Sequence, residues 1–207
     1  MHDYAYSAQA GRQSARAWNA DGRVPRHDPR GALTPRFDEV LVVGHSSGAH
    51  LGVSILADLI REGLPAQAPA LAFLSLGQVV PMVSFLPLAQ RLRADLAYLS
   101  AREDVTWVDV TAPGDGCAFA LCDPVAVTGV APPTKRWPLV RRRPSRQTLS
   151  PERWQANARR FFRLHFQYLC AFDRPGHYDY FRITAGATDA GGRYAGRPRQ
   201  KAASRRR

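Results

Sequence analysis

The tightest constraint on this chain is one junction. The apolar run Val40-Leu41-Val42-Val43 passes without a break into Gly44-His45-Ser46-Ser47-Gly48 and then into a helical pattern. Four consecutive apolar residues without alternation suit a strand buried on both faces, as in parallel sheets. From Ser47 to Arg61 the residues Leu51, Ile55, Leu56 and Leu59 recur at helical spacing, and Gly63 sits just past the end. The chain must therefore turn from a buried strand into an amphipathic helix within five residues.

The same alternation continues downstream. Leu71 to Leu76 reads as a second buried strand, Pro87 to Leu99 as a helix with Leu88, Leu92, Leu96 and Leu99 on one face, and Val105 to Val110 as a third strand. Strand, helix, strand, helix, strand predicts an α/β fold with a mostly parallel sheet flanked by helices. Right-handed crossovers place the loops after residues 43, 76 and 110 on one sheet edge, where open α/β sheets carry their sites. Ser150 and Pro151 supply an N-cap and a first helical position for a further helix, and Trp154 to Leu169 is rich in aromatics. Tyr178 to Thr184 is expected as a last short strand.

At 207 residues and 45% hydrophobic, the chain is long enough for one domain with a real core and too short for two full-sized ones. Residues 1–36 lack apolar periodicity and are expected to be an irregular, disordered lead-in. Residues 37–186 form the globular domain, and residues 187–207 a disordered basic tail. The net charge is +12, and Arg197 to Arg207 carries six basic residues and no acid. Lysine occurs only at Lys135 and Lys201. So strong an arginine bias looks like the product of a GC-rich, bacterial-like genome, and it weakens phosphate binding as the reason for each arginine.

Cys117, Cys122 and Cys170 form no framework and no zinc set, so reduced, partly buried thiols in a cytoplasmic protein are expected. No signal peptide is visible. The uncharged run from Gly63 to Gln90 is broken by Pro65, Pro69, Pro81 and Pro87, which argues against a membrane span. No cofactor and no metal are expected.

Gly44-His45-Ser46-Ser47-Gly48 fits G-x-S-x-G, and its place between strand and helix gives the pattern its meaning. A serine on so tight a turn has strained backbone angles, and small residues two positions away on each side make room for it. The turn lifts the Ser46 hydroxyl clear of the sheet edge. The helix that follows points its free N–H groups at the same place, and the Ser47 N–H can donate to a developing oxyanion.

These residues resemble the nucleophile turn of the α/β-hydrolase superfamily, the serine esterases, lipases and related acyl hydrolases. The resemblance covers about residues 37–186. It implies a Ser-acid-His triad acting on an acyl ester through an acyl-enzyme, with a small-molecule acyl substrate. For the acid, Cys122-Asp123-Pro124-Val125 resembles the Asp-Pro-Val of many lipase-like hydrolases, so Asp123 is favoured. Asp115, in Pro113-Gly114-Asp115-Gly116, is the alternative, and its surroundings are also a plain turn signal. For the base, His165, with Tyr168 three residues on, resembles the family's H-x-x-Y arrangement. His177, in a loop, is the alternative. His45 is expected to pack or to line the pocket.

The sequence departs from the family before the turn. Complete members place about four strands ahead of this one, whereas the 39 residues before Val40 carry no strand pattern and no His-Gly-Gly-like oxyanion loop. The chain thus looks like the C-terminal half of a hydrolase, with a sheet partly uncovered and open to self-association. Two other readings stay open. One is a truncated, inactive hydrolase-like scaffold. The other is a basic module for nucleic acid or anionic surfaces, resting on Arg141-Arg142-Arg143, Arg146, Trp137 and the Arg205 to Arg207 tail, though no specific nucleic-acid motif accompanies them.

Overall fold

The computed structural model describes residues 38–66, 68–142, 148–157, 160–176 and 178–194. The lead-in 1–36, His177, Arg143, Arg146 and residues 195–207 of the tail lie outside the described residues.

The first unit is the expected one. β1 (Glu39–His45) turns directly into α1 (Gly48–Glu62). β2 (Ala70–Leu76) follows, then the short α2 (Val80–Ser84) and the longer α3 (Gln90–Ala101). β3 (Val105–Thr111) leads through a loop to the single-turn α4 (Pro124–Val127), and β4 (Leu139–Arg142) completes the sheet. Beyond it come α5 (Pro151–Asn157), α6 (Phe161–Phe166) with a 3₁₀ turn at Gln167–Leu169, α7 (Tyr180–Thr184) and α8 (Ala190–Tyr194). The four strands are all parallel and run in the order β1-β2-β3-β4.

The two-residue strand period divides the core. Phe73 and Trp107 point to one face, where they meet Val53 and Leu56 of α1 and Leu92, Leu96 and Leu99 of α3. Leu74, Leu76, Val108 and Val110 point to the other, against Leu149, Tyr168, Phe172, Tyr178, Ile183 and Tyr194. Both faces are thus covered, which is why β2 and β3 carry apolar residues toward both faces, broken only by Ser75 in β2 and by Thr106, Asp109 and Thr111 in β3. The registers set His45 beside Leu76 and Leu76 beside Val110, so three strands end abreast on one edge.

Several expectations are corrected. α1 buries Ala49, Val53, Leu56 and Ile60, while Leu51 and Leu59 lie exposed on its outer flank. The sequence periodicity caught the helix but rotated its inner face. Leu88 is also exposed, because α3 starts only at Gln90, after Pro87; the Arg93 guanidinium donates to the carbonyls of Ser84, Leu86 and Pro87 just before it. Tyr178 to Thr184 holds a helix instead of a strand, started by Asp179, whose carboxylate accepts the Arg182 N–H. The domain also runs further than residue 186. α8 packs Tyr194 into the second core cluster, and the Ala190 N–H donates to the Glu39 side chain at 2.7 Å.

Candidate functional site

The turn between β1 and α1 carries the geometry its sequence demands. Ser46 has φ 56°, in the left-handed region that an L-residue with a β-carbon occupies only under constraint. Its N–H donates to the Leu76 carbonyl at 2.9 Å, and its carbonyl accepts from the Ala49 N–H, so both sides of the turn are fixed. Gly44 is sterically required, since a Cβ there would lie 2.6 Å from the Gly48 carbonyl oxygen. Gly48 is different, because a Cβ on it would meet nothing within 4 Å. Only one of the two glycines is needed for space. Ser47 occupies the N-cap of α1, and no side chain caps the first N–H groups of the helix, which starts two residues after Ser46.

Opposite this turn stands α6. It buries Leu164 and His165 inward and leaves Phe161, Phe162 and Phe166 exposed, Phe162 by 73%. His165 is only 4% exposed. Its Nδ1 lies 2.8 Å from Asp115 Oδ2. His45, the residue before Ser46, packs its ring on that of His165 with centroids 4.5 Å apart, and its Nε2–H donates to the His165 carbonyl at 2.9 Å. The histidine is therefore held from both sides, by Asp115 and by the neighbour of Ser46. Burial pushes the His45 pKa down, outweighing the hydrogen bond to the His165 carbonyl, so that His45 is a neutral donor.

Asp115 is fixed by the loop after β3. Its N–H donates to the Ala112 carbonyl, and its Oδ1 accepts the Cys117 N–H at 2.9 Å. Burial would raise its pKa. Hydrogen bonds from His165, from the Cys117 N–H and from the Tyr168 hydroxyl outweigh that and hold the carboxyl below its ordinary value. An ionised Asp115 only accepts, so His165 Nδ1 carries the proton that joins them and Nε2 is the ring nitrogen turned away from the carboxylate. Tyr168 is fully buried, and its hydroxyl also accepts the Ala112 N–H at 2.9 Å. Gly77, at φ 52°, leaves the space this cluster fills, since a Cβ there would lie 2.8 Å from the Tyr168 ring and 3.2 Å from Asp115 Oδ2.

Asp123, the favoured acid, does not meet the histidine. Its Oδ1 accepts the N–H groups of Val125 and Ala126 as the N-cap of α4, and its Oδ2 is 2.6 Å from Lys135 Nζ. The Asp-Pro-Val segment is a helix start with an ion pair. Asp115 takes the place beside His165 because it leaves β3 four residues after the strand ends, at the same edge as Ser46. His177 lies outside the described residues.

Sequence reasoning gave Tyr168 no role at the acid, although its spacing from His165 was in view. It also missed Cys117. One ligand atom each from Asp115, Cys117 and His165 lie within 4.8 Å of one another. Only the fold brings His165 to that loop, so no local spacing could have shown it. Cys170 is exposed, contrary to the expectation of partial burial. The basic and aromatic features of the nucleic-acid reading are partly committed elsewhere. The Trp137 Nε1–H donates to the Arg102 carbonyl and the indole packs against the core, while the Arg141 guanidinium lies over the Tyr194 ring at 5.6 Å. Among the described residues no helix is long and apolar enough to cross a membrane.

Compared with protein-family models, curated proteins and solved structures, the chain matches none.

Proposed function

We propose that the chain is a serine hydrolase of α/β-hydrolase type that cleaves an acyl ester, with Ser46 as nucleophile, His165 as base and Asp115 as the acid that orients it. The observation that carries this reading is a histidine whose Nδ1 is held by a buried aspartate and whose ring packs on His45, the residue next to a strained serine at a strand–helix turn. The order Ser, Asp, His along the chain, each on a loop or helix beyond the carboxyl ends of parallel strands, agrees with it.

In this mechanism His165 Nε2 takes the Ser46 proton as Oγ attacks the acyl carbonyl. The tetrahedral oxyanion forms at the start of α1, where the Ser47 N–H donates to it. Asp115 stabilises the imidazolium, which then passes its proton to the departing alcohol. Water activated by the same imidazole releases the acid. The phenyl rings of Phe161 and Phe166 border His165 and the Asp115 loop, and they favour an apolar acyl or alcohol group. Phe161 lies 3.2 Å from where a Gly116 Cβ would stand, so that ring already leans on the loop.

A fluorophosphonate probe tests the reading directly. Wild type should be labelled on Ser46 and Ser46→Ala should not. Labelling indifferent to that substitution removes the proposal and leaves the inactive-scaffold reading. Among the described residues β1 pairs only with β2, which supports the accompanying expectation of self-association.

A further inference from the structure

We propose that Asp115, Cys117 and His165 form an inhibitory site for a thiophilic divalent cation of the Zn²⁺ class. The donors come from two separate parts of the fold. Asp115 and Cys117 share one turn, locked by the 2.9 Å bond from the Cys117 N–H to Asp115 Oδ1. His165 arrives on α6 and already stands 2.8 Å from the same carboxylate. All three ligand atoms lie within 4.8 Å of one another. In a tetrahedral zinc site, with bonds of about 2.0–2.3 Å, donors stand about 3.3–3.8 Å apart. Two adjustments follow: the Cys117 side chain closes in, and the Asp115 and His165 donors, now 2.8 Å apart, part by about 0.5 Å or more.

The chemistry of the set is specific. Thiolate, imidazole and carboxylate are the three donor types zinc takes, and three protein ligands leave a fourth position for water. Asp115 and His165 are buried and Cys117 is half-buried, so the ion would be shielded while staying reachable from the loop side. Binding forms Zn–S, Zn–Nδ1 and Zn–O bonds, releases the Cys117 thiol proton to solvent, moves the His165 proton from Nδ1 to Nε2 and so breaks the Asp115–His165 hydrogen bond. Ion binding thus removes the orientation and the lone pair on which proton transfer from Ser46 depends. The inhibitory consequence rests on the hydrolase reading, whereas the site itself does not.

Cobalt substitution of the full-length, chelator-treated chain tests the site without any turnover. Co²⁺ should give a thiolate-to-metal charge-transfer band that Cys122→Ser and Cys170→Ser retain and that Cys117→Ser and Cys117→Ala lose, each variant having first been shown to keep a wild-type circular dichroism spectrum. Zn²⁺ should displace the cobalt, with affinity falling about 10–100-fold or more in Cys117→Ser, as loss of a ligand costs at least as much as loss of a supporting contact. No band in wild type, or a band that survives Cys117→Ser, overturns the site. In parallel, Zn²⁺ should slow fluorophosphonate labelling of Ser46 in wild type. A cobalt band with unchanged labelling overturns the inhibitory role alone. A metal-free chain that never labels refutes the hydrolase reading, while the cobalt result still decides the site.

Discussion

His165 Nδ1 and Asp115 Oδ2 meet at 2.8 Å inside the protein, joining α6 to the loop after β3 across fifty positions of sequence. An ionised carboxylate in that place fixes one tautomer and leaves Nε2 free to take a proton. Asp115→Asn should therefore lower kcat/KM for an activated ester by about 10³–10⁴-fold, since the amide can hold the wrong tautomer. Asp123→Ala should instead cost about 1–2 kcal/mol of stability through the lost α4 cap and the Lys135 partner, with kcat/KM of the folded protein little changed. Ester kinetics and denaturant titration on both variants separate the two carboxylates. Equal losses of activity would return Asp123 to contention.

Strain at Ser46 makes a second expectation. A residue with a β-carbon at φ 56° costs about 1–3 kcal/mol, and glycine relieves it. Ser46→Gly should thus be more stable than Ser46→Ala by about 1 kcal/mol, although neither is labelled by a fluorophosphonate. The neighbouring glycines should differ in the same assay. Gly44→Ala drives a methyl into the Gly48 carbonyl and should destabilise by about 1–3 kcal/mol, whereas Gly48→Ala should be neutral within about 1 kcal/mol. Similar melting points for the two alanine variants would contradict the turn geometry.

These residues also show what could be read from sequence. The strand–turn–helix junction was legible because its signals are local: apolar continuity, one sterically required glycine and helical periodicity lie within a few residues of one another. β2, β3 and α3 were legible for the same reason. The acid was not, because a turn aspartate and a capping aspartate look alike until the partner on α6 is in place. Asp123 sits in the more familiar motif, yet Lys135 lies within reach and His165 pairs elsewhere. Likewise β4 escaped notice. Leu139 to Arg142 is a short strand whose second half is arginine, and its place beside β3 is set by pairing across the sheet rather than by its own pattern.

The edge of the sheet yields a third expectation. Among the described residues β1 pairs only with β2, and Val40 is 45% exposed at its start. A seven-residue edge strand that carries the apolar run Val40 to Val43 is a template for another chain. Sedimentation should show association that grows with concentration, and Val40→Lys should weaken it, because a charge on an edge strand opposes pairing. A wild-type chain that sediments as a monomer at all concentrations would show that the edge is closed.

The last expectation concerns Asp109, which lies on β3 facing α1 and α3, away from the candidate triad. It is wholly buried; Ser75 donates to its Oδ1 at 2.6 Å, and the Trp107 Nε1–H donates to the same serine hydroxyl at 2.9 Å. Burial pushes the Asp109 pKa up to about 8 from an ordinary value of 3.8, against the lowering effect of the Ser75 hydrogen bond. The folded chain thus keeps a proton that the unfolded chain loses above about pH 4. Between that pH and about 8, the folded state binds more protons than the unfolded state, so this residue makes stability fall as pH rises, by up to about 1 kcal/mol per pH unit. Asp109→Asn keeps an acceptor for Ser75 and removes the titration. Denaturant unfolding of both proteins from pH 5 to about 8 should show the variant gaining steadily on wild type. Parallel stability curves would mean that Asp109 is already ionised in the fold, with a cation or water at its second oxygen.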